Sequence, residues 1–171
     1  VPVAGQMRKV LLHADRNGFL YTLDRVTGQF ISGVPFVRQT WNKGFDGKGR
    51  PIIDPESVST VQGHHISPGV GGTNFQAPSY DPTHRVLFLN YLDAEGTAIY
   101  QPTPYKSGQV FTGAHFSAFQ LPSRPPEHGV MALDVVTGRK LWTFPTTRLT
   151  LPAGVLATRG KRQARGREGP E

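Results

Sequence analysis

The sequence predicts an all-β chain of short antiparallel strands with long loops, and three observations carry that expectation. Its 171 residues include 20 glycines and 15 prolines, about a fifth of the chain, which favours turns over long helices without the low complexity of a fibrous or disordered protein. No stretch keeps an amphipathic helical period over a useful length, whereas short apolar runs bounded by Asn-Gly, Asp-Pro and Thr-Gly come in pairs. The segment Leu-Asp-x-Val-Thr-Gly is written twice, at residues 23–28 and 133–138.

The first set of strands reads "KVLLHA" (9–14), a turn "DRNG", "FLYTLD" (19–24), a corner "RVTG" and "QFISGVPF" (29–36). Asn17-Gly18 predicts a two-residue type I′ hairpin, because that turn needs positive φ at both central positions and Asn and Gly tolerate it best. A three-stranded meander follows. The second set repeats the design: "APSYDPTHRVLFLNYL" (77–92) reads as strand, Asp-Pro-Thr turn, strand, and "VMALDVVTGRKLWTF" (130–144) as strand, Thr-Gly corner, strand. Residues 37–76 and 93–128 read as Gly/Pro/polar connections too long for hairpin loops, and loops of such length in a compact domain are usually functional.

Each Leu-Asp-x-Val-Thr-Gly would then close the outer hairpin of a four-stranded sheet. Sheets repeated at a long period suggest blades of a β-propeller. The fold predicted is a partial propeller of about two four-stranded antiparallel blades with long loops. A coincidence of two common turns is the plainer alternative, against which Ala132, Asp134, Thr137, Gly138 and Trp142 fall at the spacing A-x-D-x-x-T-G-x-x-x-W. An outer-strand Trp at that spacing can stack on a neighbouring blade.

Composition limits the functions open to the chain. Its length suits the core of one ordinary domain. With no cysteine there is no disulfide, thiolate metal site or thiol nucleophile. No apolar run of 18 residues and no charged-then-apolar leader are present, so no membrane span is expected. The net charge of +7 is concentrated at the end, where "RGKRQARGREGPE" (159–171) carries five Lys/Arg against two Glu. That tail reads as a solvated, disordered end, and nucleic acid is not expected as a partner.

The A-x-D-x-x-T-G-x-x-x-W spacing resembles the tryptophan-docking motif of the pyrroloquinoline quinone (PQQ) dependent alcohol dehydrogenases, eight-bladed propellers of the bacterial periplasm. "RNGFLYTLDRVTG" (16–28) is similar to the family's R-N-G-F-x-Y-x-L-D-R-x-T-G segment, and "GGTNFQAPSYDP" (71–82) to its G-G-x-N-W-x-x-x-S-Y-x-P segment. The likeness runs over residues 5–158 and covers an internal part of the family: one complete blade, most of the preceding one, and a first strand, "GVLAT" (154–158), of the next. Residues 1–158 are thus expected to form a partial quinoprotein propeller domain. The tail 159–171 departs from the family pattern, as a frame error or truncated gene would make it do.

The resemblance implies a site. In the family, PQQ lies near the propeller axis above Ca²⁺ or a related cation, a carboxylate removes the alcohol proton, and hydride passes to the quinone. Arg16 matches the arginine that stabilises charge on the quinone oxygen, the one catalytic residue expected here. Asn74 matches a cofactor-contacting asparagine, with Gly71 and Gly72 letting the backbone come close. Phe75 stands where Trp is common and keeps an aromatic face without the indole donor. Read from the residues alone, Arg16 is an ordinary turn arginine and Asn74 a turn former. Pro152 falls near the position of a Trp that floors the quinone in some members. The catalytic Asp and the cation ligands belong, in the family, to sequence preceding Val1, so no metal ligand is assigned here.

Other constellations carry less. His64-His65 lack a third ligand at a sensible spacing. "GVGGTN" has neither the strand nor the helix of a dinucleotide fingerprint. Asp24 and Asp134 read as turn caps, and Tyr91, Tyr100, Tyr105, Phe111, Phe116 and Phe119 as packing between blades or the lining of a substrate funnel. The reading is a fragment of a periplasmic dehydrogenase that oxidises alcohols or similar hydroxyl compounds and passes electrons to a cytochrome c-type acceptor, inactive as an isolated chain. The alternative is a cofactor-free propeller segment with a scaffold or protein-binding role.

Overall fold

The computed structural model describes residues 1–111, the backbone of 115–118, and residues 124–147 and 154–158. The expected disordered tail at 159–171, Pro152 and Phe119 lie outside the described residues. After a small hairpin of β1 (Pro2–Val3) and β2 (Gln6–Met7), the alternating runs form β3 (Val10–Ala14), β4 (Phe19–Asp24) and β5 (Phe30–Pro35). These pair in that order as the predicted antiparallel meander. Residues 37–76 are not merely a connection. They hold a hairpin of β6 (Asn42–Phe45) and β7 (Pro51–Ile53), one 3₁₀ turn at Pro55–Ser57, and β8 (His64–Ile66). The second large sheet begins with β9 (Ser79–Asp81) and β10 (Val86–Asp93). β11 (Gly96–Ile99) and β12 (His115–Ala118) join β8 in a three-stranded sheet of their own. β13 (Glu127–Asp134) and β14 (Lys140–Pro145) complete a four-stranded sheet ordered β14-β13-β10-β9.

The twice-written segment folds the same way twice. In the first sheet Leu11 pairs with Leu23, Leu12 with Thr22, and Leu20 with Val34; in the second, Leu87 pairs with Leu133, Phe88 with Ala132, and Val130 with Phe144. Both carry a bulge at the corresponding place, between Thr22 and Leu23 and between Ala132 and Leu133. A register is pinned wherever one face must be buried. Here the buried faces meet: Leu20 packs with Leu87, Leu89, Tyr91, Met131, Leu133 and Val135 in one cluster, and Leu12 and Ala14 lie against it. Met131 and Leu133 are wholly buried, and each such side chain contributes about 1.5–3 kcal/mol of transfer free energy.

The corners explain the shared lettering of the two copies in physical terms. Asp24 Oδ1 accepts from the Val26 and Thr27 amides, and Asp134 Oδ1 from the Val136 and Thr137 amides. Gly28 and Gly138 then donate back to the carbonyls of Asp24 and Asp134 with φ of +75° and +72°. The aspartates are caps, as the sequence suggests. The Thr27 and Val26 amides, helped by Arg8 at 2.7 Å, outweigh burial and pull the Asp24 carboxyl down to about 2. At Asp134 burial pushes the carboxyl up, but the Thr137 amide and hydroxyl and the Val136 amide together win and lower it. Both carboxyls sit below their unfolded value, so both stabilise the fold above the ordinary carboxylate range and lose that contribution as pH falls through the folded value. Urea midpoints are therefore expected to be flat above about pH 5 and to fall between about pH 4 and 2, a fall that Asp24→Asn with Asp134→Asn flattens. An unchanged acid slope in the double variant would show that these corners do not govern acid stability.

Two expectations need correction. The Asn17-Gly18 turn is not a two-residue type I′ loop: Asn17 has no positive φ. The loop spans Asp15 to Gly18, with Gly18 N–H donating to the Asp15 carbonyl at 3.0 Å and Asp15 Oδ1 accepting from the Asn17 amide at 2.8 Å. The Asp15 carboxylate holds Asn17 in a right-handed turn, leaving only Gly18, at φ +91°, left-handed. "GVLAT" forms no strand; it runs beside β9, with the Val155 amide donating to the Ala77 carbonyl and the Ala157 amide to Ser79 Oγ. Trp142 lies 5.8 Å from the Phe88 ring of its own sheet and keeps an exposed face. Beyond the shared cluster, the two sheets also approach at Gly138, where a Cβ would stand 2.6 Å from Val34.

Candidate functional site

The loops that carry Arg16 and Asn74 lie side by side. They meet because the turn after β3 and the loop 67–73 are threaded together by the backbone: Gly72 N–H donates to the Arg16 carbonyl at 2.8 Å, and the Gly72 carbonyl accepts from the Leu92 amide at 2.9 Å. Gly71 and Gly72 are buried beneath Arg16. At Gly71, φ is +102°, and a Cβ would run into the Arg16 stem, with Nε at 3.0 Å and the carbonyl oxygen at 3.1 Å. The pair of glycines is thus what lets the arginine lie flat on the loop. The Arg16 side chain is exposed, and no carboxylate stands within ion-pair distance of it among the described residues.

Two residues on, Asn74 is exposed and turns its Oδ1 back onto the Phe75 amide at 2.9 Å, which leaves its amide nitrogen outward. Phe75 is 89% exposed and meets no other ring among the described residues. The structure therefore brings the Arg16 and Asn74 loops together without a direct bond between the two side chains. Close by are two buried groups without a hydrogen-bond partner, Gln39 Oε1 and Ser67 Oγ. Gln39 Nε2 and Pro68 both crowd Gly18, so the two orphans flank the Arg16 turn.

Sequence reasoning missed a cluster of charge at the same end of the sheets. Arg38 donates to Glu95 at 2.8 Å, with Glu95 buried, and the Arg38 amide donates to Asp93 at 3.3 Å. Arg124 binds Asp93 and lies 3.4 Å from Glu127. These pairs tie the segment after β5 to the end of β10. His64 and His65 lie on β8, and among the described residues no group of three or more His, Asp or Glu side chains is arranged to hold a metal ion. Of the aromatic set, Tyr91 is buried in the core, as packing requires. Tyr100, Tyr105 and Phe111 are exposed, the last two in edge contact at 5.9 Å, and the side chain of Phe116 lies outside the described residues.

Known proteins share both the sequence and this arrangement of sheets. The dehydrogenase subunit of "Alcohol dehydrogenase (quinone)" from Acetobacter aceti is 40% identical over 93 residues, 52% of this chain and 12% of that protein. "Quinoprotein alcohol dehydrogenase PedH" from Pseudomonas putida is 35% identical over 170 residues, 91% of this chain and 27% of the relative. The crystal structure of quinohemoprotein alcohol dehydrogenase from Comamonas testosteroni superposes with a TM-score of 0.75 at 26% identity, over 91% of this chain and 25% of that one. The chain belongs to the quinoprotein alcohol dehydrogenase family. It spans no more than about a quarter of the length of these relatives. No family model matches it. The two sheets of this quinoprotein segment are accordingly neighbouring propeller blades.

Some of these residues could hold one edge of PQQ. A planar, multiply carboxylated quinone needs a guanidinium free of a competing carboxylate, a carboxamide donor and a backbone with no Cβ in the way. Arg16, Asn74 and the buried Gly71-Gly72 pair offer these, and the unpartnered Gln39 and Ser67 atoms leave further bonds to be made. The cation would need acidic ligands that are not gathered among the described residues. No described helix is long and apolar enough to cross a membrane.

Proposed function

We propose that this chain supplies one wall of the PQQ site of a periplasmic dehydrogenase that oxidises alcohols or similar hydroxyl compounds. The observation that carries the reading is the Arg16 turn resting on the Gly71-Gly72 pair, one loop away from Asn74. PQQ, when bound, would supply the hydride acceptor for oxidation of the alcohol carbon. Arg16 would hold a positive charge beside the quinone oxygen, where negative charge grows in the transition state. Asn74 donates its amide to the cofactor edge and fixes its orientation, with Phe75 alongside to exclude water. The proton-accepting carboxylate and the Ca²⁺ or related cation's ligands are not assigned to any residue here, so the 171-residue chain alone is expected to be inactive. Electrons would leave to a cytochrome c-type acceptor.

The test is a chimera in which residues 5–158 replace the matching stretch of the Comamonas testosteroni enzyme. Loaded with PQQ and Ca²⁺, it is expected to oxidise a primary alcohol with a dye acceptor. Arg16→Ala should lower kcat by about 10²–10³, the usual loss when one preorganised oxyanion donor is removed. A folded chimera that binds no PQQ, or that binds it equally with and without Arg16, would favour a cofactor-free scaffold. The free Arg16 guanidinium argues against that second reading.

A further inference from the structure

An ion pair that the quinone reading does not use closes the joint beneath Arg16. Four segments meet there: the turn 15–18, the segment 36–40, the loop 67–73 and the bend 92–96 between β10 and β11. The Phe36 amide donates to the Gly18 carbonyl at 3.0 Å, and the Gly72 amide to the Arg16 carbonyl at 2.8 Å. Buried Val37 is wedged between turn and loop: a Cβ on Gly18 would stand 2.7 Å from its Cγ2, and one on Gly72 2.8 Å. From the other side the bend holds the same loop. Gly69 N–H donates to the Ala94 carbonyl at 2.7 Å, Leu92 N–H donates to the Gly72 carbonyl at 2.9 Å, and a Cβ on Gly69 would run into the Gly96 backbone. One side-chain bond ties these outer segments to each other. Arg38, next to the Val37 wedge, donates from Nη1 to Glu95 Oε1 at 2.8 Å, and Glu95 stands between Ala94 and Gly96, the two residues that Gly69 approaches. The Glu95 side chain is 6% exposed and that of Arg38 about half, so water and salt screen this pair less than two fully exposed side chains. The Arg38 amide adds a bond to Asp93 Oδ2 at 3.3 Å.

We propose that Arg38 and Glu95 are positioning residues of the cofactor wall: by tying the Val37 wedge to the β10–β11 bend, they set the Arg16 turn in its place against the loop that leads to Asn74. What the wall binds rests on the quinone reading. The pair acts through Val37 and the Gly69–Gly72 stretch, and neither side chain has to reach the cofactor. Without the Arg38 side chain the wedge is held by apolar contacts, which are not directional, so the loop can shift against the turn while the strands of both sheets stay paired.

Amide hydrogen exchange in the 171-residue chain tests the joint with no cofactor present. In Arg38→Ala the Gly69, Gly72 and Leu92 amides are expected to exchange about tenfold faster relative to the β10–β13 ladder. Arg8→Ala removes the ion pair with Asp24, at the opposite end of the first sheet, and should leave that ratio unchanged. In the chimera loaded with Ca²⁺, Arg38→Ala and Glu95→Gln are each expected to weaken PQQ binding about tenfold, and the double variant no more than the stronger single one. Arg38→Lys, which keeps the charge, should recover most of the affinity. On an Arg16→Ala background Arg38→Ala should cost much less than it does alone. An exchange ratio that Arg38→Ala leaves unchanged, or that Arg8→Ala raises equally, would overturn the proposal, as would losses fully additive with those of Arg16→Ala. Faster exchange beside an unchanged PQQ affinity would sink the positioning role alone, whereas a chimera with Arg38 and Glu95 intact that binds no PQQ would sink the quinone reading and the positioning role together.

Discussion

Gly138→Ala is expected to destabilise the chain by about 2–5 kcal/mol, and Gly28→Ala, at the corresponding corner, by only about 1–2 kcal/mol. The two glycines form a matched pair. They share φ near +70°, the same aspartate cap and the same back-donated hydrogen bond, so the strain of forcing an L-residue into the left-handed region is common to both, about 1–2 kcal/mol. They differ in surroundings. A Cβ on Gly138 would stand 2.6 Å from three carbons of Val34, a β-branched side chain that cannot swing aside, whereas one on Gly28 meets open space. Overpacking of this kind costs about 1–3 kcal/mol more, and it falls on the junction that joins the two sheets. Urea unfolding reads the difference directly. Equal losses at the two corners would mean that the Val34 contact does not hold the blades together. Pairing Gly138→Ala with Val34→Ala should recover most of the excess, because the clash needs both partners.

What the sequence made legible was local, and what it hid was remote. The strands of both large sheets follow from period-two alternation between Asp/Thr/Gly corners, and the Asp24 and Asp134 caps follow from the same letters. The type I′ expectation failed over a competition one residue away: the Asp15 carboxylate captures the Asn17 amide and draws the turn into a longer loop. β6, β7, β8 and β11 were invisible because each is only three or four residues long, too short to show a period. β8 and β11 find their partners only once the chain has looped back, so no local pattern announces them. The site divides in the same way. Arg16 and Asn74 stood out by likeness to a family, since nothing in a spacing of 58 residues says that one loop lies on the other. Arg38 with Glu95 and Arg124 with Asp93 are separated by 57 and 31 residues, and only the topology that crosses the end of β10 puts them together.

In the chimera loaded with Ca²⁺, Arg16→Ala and Gly71→Ala are each expected to weaken PQQ binding by about 10- to 150-fold, the equivalent of about 1.5–3 kcal/mol for one charged hydrogen bond. They should do so for one reason. The three atoms nearest a Gly71 Cβ all belong to Arg16; the expected part of Gly71 is to leave the Arg16 stem room to lie on the loop, and a Cβ there would lift Cγ and turn the guanidinium away. The Arg16 stem is flexible, so relief of this clash comes from moving the side chain, and the main stability cost of Gly71→Ala is the left-handed φ of +102°. Fluorescence titration of both single variants and the double then decides the matter. If Gly71 acts through Arg16, the double variant binds PQQ no more weakly than Arg16→Ala alone, and the two effects are far from additive. Additive losses would show that Gly71 serves the cofactor by another route. Arg16→Lys adds a further reading: an ammonium keeps the charge but lacks the planar fork, so it should recover part of the affinity when geometry matters and nearly all of it when charge alone does.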